Sequence, residues 1–195
     1  MRRICVFAGS NPGAREEYRN AAETLGRELA SRGLELVYGG ASVGLMGVVA
    51  SATLAAGGKA HGVLPRGLFR RELAHAGLTE LHEVGSMHER KALMASLADG
   101  FIALPGGYGT FDELFEIVTW AQIGIHEKPI GLLDVAGYYE PLLTLVEHAV
   151  REGFVPESNA ALLMRDTDPG RLLDRFAAYT PPRRIEMWSE VPPQP

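Results

Sequence analysis

The 195-residue sequence has one cysteine, Cys5, and no run of apolar residues long enough for a membrane span. A single thiol cannot form an internal disulfide or build a cysteine-based zinc cage. A spanning helix needs about 20 consecutive apolar residues. The longest apolar stretch, 43–56, is broken by Gly44, Gly47 and Ser51, and it reads as a buried core helix. Positive charge is scarce as well: 19 Lys and Arg against 24 Asp and Glu leave a formal net charge of −5, which disfavours a general nucleic-acid binder. Met1-Arg2-Arg3 precedes only Ile4, Cys5, Val6, Phe7 and Ala8 before Gly9-Ser10, too short for a secretory signal core. These absences imply a cytoplasmic protein with no membrane or nucleic-acid partner.

Several chemical motifs are also missing. The first glycine turn is not GxGxxG, and the second strand ends in Tyr38-Gly39-Gly40 with no acidic residue to hold a ribose hydroxyl, which disfavours NAD. Gly57-Gly58-Lys59 is followed by Ala60, so there is no P-loop. The histidines at 61, 75, 82, 88, 126 and 148 show no HxxxH or HxxH pairing, which argues against a histidine metal site. No GxSxG elbow is present.

What remains is an ordinary globular composition, 46% hydrophobic and 22% charged. Apolar runs of strand type occur at 4–8, 34–38, 60–64, 81–84, 101–104 and 129–133. Between them lie segments of helical period: 14–31, where Tyr18, Ala22, Leu25 and Leu29 recur on one face, then 43–56, 87–98, 109–123 and 138–151, with a last helix at 169–178. Such alternation predicts an α/β fold, a doubly wound, Rossmann-like parallel sheet with helices on both faces. Residues 1–180 read as one domain, and 181–195 as a proline-rich tail. Ligands of such sheets bind beyond the carboxyl ends of the strands.

Three strand ends carry glycines: Gly9 to Gly13, Gly39-Gly40 to Gly44, and Pro105-Gly106-Gly107-Tyr108-Gly109-Thr110. Each is followed by a helix, and a helix N-terminus with bare backbone suits a phosphate. Ser10 adds a hydroxyl to the first turn. In the helix from Met87, Arg90 falls in the apolar stripe with Met87, Met94 and Leu97. It either reaches out to solvent or meets an anion, since a buried guanidinium needs a partner. Lys91 beside it can reach the same anion or stay solvated. Ser86 to Glu89 and Thr110 to Glu113 both fit a capping box, so Glu89 reads as structural. Glu113 reads equally as a cap or as a group facing a ligand at the glycine turn.

Ser86-Met87-His88-Glu89-Arg90-Lys91 and Pro105-Gly106-Gly107-Tyr108-Gly109-Thr110-Phe111-Asp112-Glu113 resemble the MHxRK and PGGxGTxxE motifs of the LOG (LONELY GUY) family of cytokinin riboside 5′-monophosphate phosphoribohydrolases. The similarity extends through Val6 to Ser10, Val37 to Gly40, Gly44 to Gly47, Thr119 to Gln122, Gly131 to Leu133, Tyr138-Tyr139 and Glu152 to Phe154, covering roughly residues 3–165. It implies hydrolysis of the N-glycosidic bond of an adenine nucleoside 5′-monophosphate to free base and ribose 5-phosphate, by a homodimer without cofactor or metal. Carried over by position, Arg90 and Glu113 match the catalytic pair, and Gly106, Gly107, Tyr108, Gly109, Thr110, Phe111 and Asp112 match the phosphate-binding turn. Glu72, Lys91 and Thr119 match further substrate contacts, with Ser10, Gly40 and Met46 completing the expected set. Two departures stand out: Ala8 where the family usually has cysteine, and Ala41-Ser42 where it is richer in glycine.

Two other readings compete. Relatives of this fold have been labelled lysine decarboxylases, but that reaction needs pyridoxal phosphate on a lysine, and only Lys59, Lys91 and Lys128 are available. A non-enzymatic nucleotide-binding module would keep the glycine turns but has no need of Arg90 and Glu113 together.

Overall fold

The computed structural model describes residues 1–67 and 74–182. Seven strands, β1 (Arg3–Phe7), β2 (Glu35–Tyr38), β3 (Ala60–Pro65), β4 (Glu80–Val84), β5 (Gly100–Ala103), β6 (Ile130–Leu133) and β7 (Leu163–Asp166), form one sheet. Their order is β4-β3-β2-β1-β5-β6-β7, and every neighbouring pair is parallel. The helices are α1 (Glu16–Ser31), α2 (Gly44–Ala55), α3 (Met87–Leu97), α4 (Tyr108–Gln122), α5 (Glu140–Arg151), the single turn α6 (Glu157–Ala160) and α7 (Pro169–Ala177).

Alternation along the strands produces two cores. Ile4, Val6, Leu36, Tyr38, Ile102 and Leu104 pack on one face with Ala22, Leu25 and Leu29 of α1, Leu45 and Val49 of α2, and Leu172 and Phe176 of α7. Cys5, Phe7, Val37, Val63, Phe101 and Leu132 pack on the other with Met94 of α3 and Leu114 and Ile117 of α4. Full burial of each Leu or Ile is worth about 1.5–3 kcal/mol. The strands read as continuous apolar runs because helices cover both sides. Cys5 is fully buried, and burial holds its thiol well above the usual range, so it is a packing residue.

The six predicted strands and six predicted long helices are present, with ends shifted by a few residues. The strand β7 and the turn α6 were not expected. Leu-Met-Arg-Asp lacks β-branched residues and any alternation, and it becomes a strand by pairing with β6 at the sheet edge. Of the tail predicted at 181–195, residues from 183 onward lie outside the described residues, as does Glu72.

Candidate active site

The strand order reverses between β1 and β5: β1 is followed by β2 on one side and meets β5 on the other. The carboxyl ends of these two strands flank the crevice where doubly wound folds bind ligands. Here the glycine turns meet. The Gly9 amide donates to the Pro105 carbonyl at 3.1 Å, and the Gly9 carbonyl accepts from the Leu45 amide at 2.9 Å. Gly44 makes the second contact possible. Its φ is +58°, and a Cβ there would stand 2.3 Å from the Ser10 carbonyl carbon.

A cavity of about 540 Å³ opens at this point, within the usual range for ligand sites. Of the predicted residues, Ser10, Met46, Arg90, Gly106, Gly107, Tyr108, Gly109, Thr110 and Glu113 line it. A Cβ added at Gly107 or Gly109 would meet nothing within 4 Å. The N-cap of α4 is Gly107, which has no side chain to cap the helix. The first amides of α4 lack intrahelical acceptors and carry the positive end of the helix dipole.

Arg90 resolves in favour of the buried reading. Its Nε donates to the Val63 carbonyl at 3.1 Å, and its Nη1 donates to Glu113 Oε1 at 2.9 Å. Only 9% of the Arg90 side chain and 11% of the Glu113 side chain are exposed. Gly39 at the tip of β2 makes room for the guanidinium, since a Cβ there would lie 2.1 Å from Arg90 Nη2. Among the described residues Nη2 makes no hydrogen bond, so two of its donors are available to a ligand.

The capping reading of Glu113 is overturned. A capping box needs Thr110 as the N-cap, but the N-cap of α4 is Gly107 and the helix begins at Tyr108, so Thr110 sits inside its first turn and Glu113 lies beyond it. Glu113 pairs with Arg90 instead of an amide. Burial pushes its carboxyl above the usual carboxylate range, outweighing the lowering by Arg90. The structural reading of Glu89 is correct: Ser86 Oγ accepts from the Glu89 amide at 3.1 Å, and Glu89 Oε2 accepts from the Gly85 amide at 2.8 Å.

Five predicted contacts do not reach the cavity wall. Lys91 Nζ lies 3.1 Å from Asp112 Oδ2 and 3.0 Å from Glu116 Oε1, so Lys91 and Asp112 tie α3 to α4. Gly40 turns toward Leu64, and its carbonyl accepts from the His75 amide. Phe111 packs against the α3–α4 core. Thr119 bonds back to the Phe115 carbonyl. Conversely, Asn11, Tyr18, Met87 and Tyr138 line the cavity without having been singled out. The Tyr138 hydroxyl donates to the Gly106 carbonyl, and Tyr139 Oη donates to Leu104 O at 2.7 Å, bracing the turn from behind. Met87 shares the stripe of Arg90 and lies in the MHxRK-like segment, the two signals that could have revealed it.

Among the described residues no lysine lines the cavity. Lys59 faces Glu35, Lys91 is held as described, and Lys128 donates to the Ala95 carbonyl. No helix among the described residues is long and apolar enough to cross a membrane.

The profile of a family described as "possible lysine decarboxylase" matches residues 46–176. The chain is 51% identical over 182 residues to the probable cytokinin riboside 5′-monophosphate phosphoribohydrolase LOGL5 of Oryza sativa subsp. japonica, covering 93% of this chain and 74% of that one. It is 46% identical over 194 residues to the cytokinin riboside 5′-monophosphate phosphoribohydrolase LOG of the same plant, covering 99% and 80%. The solved molybdenum cofactor carrier protein of Chlamydomonas reinhardtii shares the fold, with a TM-score of 0.70 and 22% identity over 91% of this chain and 99% of that one. With Arg90 and Glu113 paired at the mouth of the third glycine turn and such identity over nearly its whole length, the chain belongs to the LOG family.

Proposed function

We propose that this protein hydrolyses the N-glycosidic bond of adenine nucleoside 5′-monophosphates, cytokinin riboside 5′-monophosphates or AMP, to free base and ribose 5-phosphate. The observation that carries this reading is the buried Arg90–Glu113 pair facing a cavity that ends at the uncapped N-terminus of α4. The names of the relatives point to the same substrate class.

The 5′-phosphate would lie against the amides of Tyr108, Gly109 and Thr110, with the hydroxyls of Thr110 and Ser10 as further donors. This places the ribose near Glu113. Breaking the bond between C1′ and the base nitrogen builds positive charge on the sugar, which a carboxylate stabilises. Glu113 then orients the attacking water and takes its proton as the new C1′–O bond forms. The bonding pair leaves with the base, and the proton that Glu113 took from the water passes through solvent to the base nitrogen, which restores the Glu113 carboxylate. Arg90 holds Glu113 in position through Nη1 at 2.9 Å and offers Nη2 to the departing base or the ribose hydroxyls. Met46 and Met87 supply soft apolar walls.

A homodimer in a cytoplasmic setting completes the reading. Tyr108, Phe115, Thr119 and Ile123 share one face of α4, and Tyr108, Phe115 and Ile123 are exposed. On α5, Leu142 and Leu143 pack against the core, and Leu145 is left exposed. Such faces are what a second copy would cover. Thr119, predicted as a substrate contact, lies on this strip and could act only across such an interface.

The deciding experiment follows base release from AMP and from isopentenyladenosine 5′-monophosphate by chromatography, with Glu113→Gln as control. Free base from the unmodified chain alone supports the hydrolase. Nucleotide binding without base release from either nucleotide would instead make the chain a binding module.

A further inference from the structure

The register of β3 and β4 places His61 opposite Glu80, and His82 two residues further along the same face of β4. No spacing in the sequence suggests this cluster, because two paired strands assemble it. It sits at the amino ends of the strands, the opposite end of the sheet from the glycine turns. His61 Nδ1 lies 3.5 Å from Glu80 Oε2, and His82 Nε2 lies 3.4 Å from the same oxygen. All three atoms fall within 4.8 Å of one another. The two rings stack with centroids 6.5 Å apart.

These nitrogens are anomalous as they stand. His61 is 5% exposed. His61 Nδ1 and His82 Nε2 are both buried and have no hydrogen-bond partner among the described residues. The other ring nitrogen of His61, Nε2, is 2.9 Å from Glu35 Oε2. Glu35 also receives Arg2 and Arg3, so it acts as an acceptor and the hydrogen at that contact belongs to Nε2. In the neutral ring Nδ1 then presents its lone pair to a carboxylate oxygen. Two acceptors facing each other without a cation between them repel. A histidine held by a carboxylate through one nitrogen, with the other bare, is the arrangement seen around metal ligands.

We propose that His61 Nδ1, Glu80 and His82 Nε2 form a site for a zinc-class divalent cation that ties the edge strand β4 to β3. Atoms bound about 2.0–2.1 Å from a tetrahedral ion lie about 3.3 Å from one another. Two of the three edges of the cluster already have nearly this length, and a small swing of the His82 ring closes the third. Two imidazoles and one carboxylate suit Zn²⁺, Co²⁺ or Ni²⁺, with water in the fourth position. Glu80 is 55% exposed in its side chain, so an ion reaches the site from solvent. The ion acts on the stability of the edge strand, and its distance from the cavity leaves base release unaffected.

The test uses the full chain without a histidine tag, stripped with a chelator and desalted. Zn²⁺ is titrated by calorimetry, and Co²⁺ by its visible absorption. One ion per chain, a tetrahedral cobalt spectrum and a raised Tm are expected. His82→Ala and Glu80→Gln, both at the sheet edge, weaken Zn²⁺ binding by at least about tenfold, because even outer-shell changes cost that much. His148→Ala leaves it unchanged. In the unmodified chain, Zn²⁺ shifts the NMR ring signals of His61 and His82 ahead of the other histidines, an answer that needs no substitution to fold. Failure to take up one ion per chain overturns the proposal, as does uptake that survives both edge-strand substitutions or ring shifts confined to other histidines.

Discussion

Arg90 and Glu113 lie on different helices, α3 and α4, and meet Nη1 to Oε1 at 2.9 Å inside a cleft that leaves each side chain about nine-tenths buried. Burying such a pair costs desolvation that its attraction only partly returns, so it contributes little to stability. A pair of this kind at the end of a phosphate-sized turn is better explained by chemistry, and its removal has separable effects on folding and turnover.

Glu113→Gln keeps an oxygen to accept from Arg90 but loses the base. Turnover should fall by about 10²–10⁴-fold, while nucleotide affinity measured by calorimetry stays within about threefold and circular dichroism is unchanged. In the unmodified protein the rate should fall as pH drops through the raised pKa of Glu113, above the range where an exposed carboxylate would titrate. A rate that is flat down to ordinary carboxylate pKa values would contradict this assignment.

Arg90→Ala strands Glu113 in the cleft without a partner. The loss of stability at neutral pH should be about 3–5 kcal/mol by chemical denaturation. The pKa of Glu113 is already raised in the folded state, and losing Arg90 raises it further. A raised folded-state pKa for an acid means that protonation favours folding. The deficit should therefore shrink as pH falls from neutral toward 5 and widen as pH rises.

Gly39→Ala and Gly109→Ala should differ in kind. The first puts a methyl 2.1 Å from Arg90 Nη2 and displaces the guanidinium, so kcat falls steeply. The second places a methyl where nothing lies within 4 Å, on the first turn of a helix. It should stabilise α4 by about 0.5–1 kcal/mol while raising KM, because the methyl occupies phosphate space. Steady-state kinetics paired with thermal melts distinguish the two.

Lys91→Ala should behave as the loss of a strut between α3 and α4. Burial alone would lower the Lys91 pKa, and the Glu116 and Asp112 carboxylates raise it overall, so the ammonium stays charged. Removing it should cost about 1 kcal/mol and change KM little. A large rise in KM with unchanged Tm would return Lys91 to the substrate.

Phe115→Asp and Ile123→Asp, on the exposed strip of α4, should convert a dimer to a monomer by sedimentation. Base release should fall with them if Thr119 acts across the interface.

The order of strands and helices was legible because helices on both faces bury the strands, which therefore read as short apolar runs, and because Tyr18, Ala22, Leu25 and Leu29 mark a helix by spacing alone. The glycine turns were legible too, since only bare backbone allows approaches as close as that of Gly44 to Ser10. Strand β7 was not, because Leu-Met-Arg-Asp becomes a strand only against β6. Spacing along one chain cannot show what a sheet brings together. Glu113 fitted a cap equally well in sequence, but α4 is capped at Gly107, three residues before Thr110, and Glu113 pairs with Arg90. Lys91 and Asp112 sit beside Arg90 and Glu113 in sequence, yet they pair with each other and do not line the cavity. His61, Glu80 and His82 carry no motif, and only the parallel register of β3 and β4 sets them around one point. Local periodicity decides the elements, and long-range packing decides which side chains share a site.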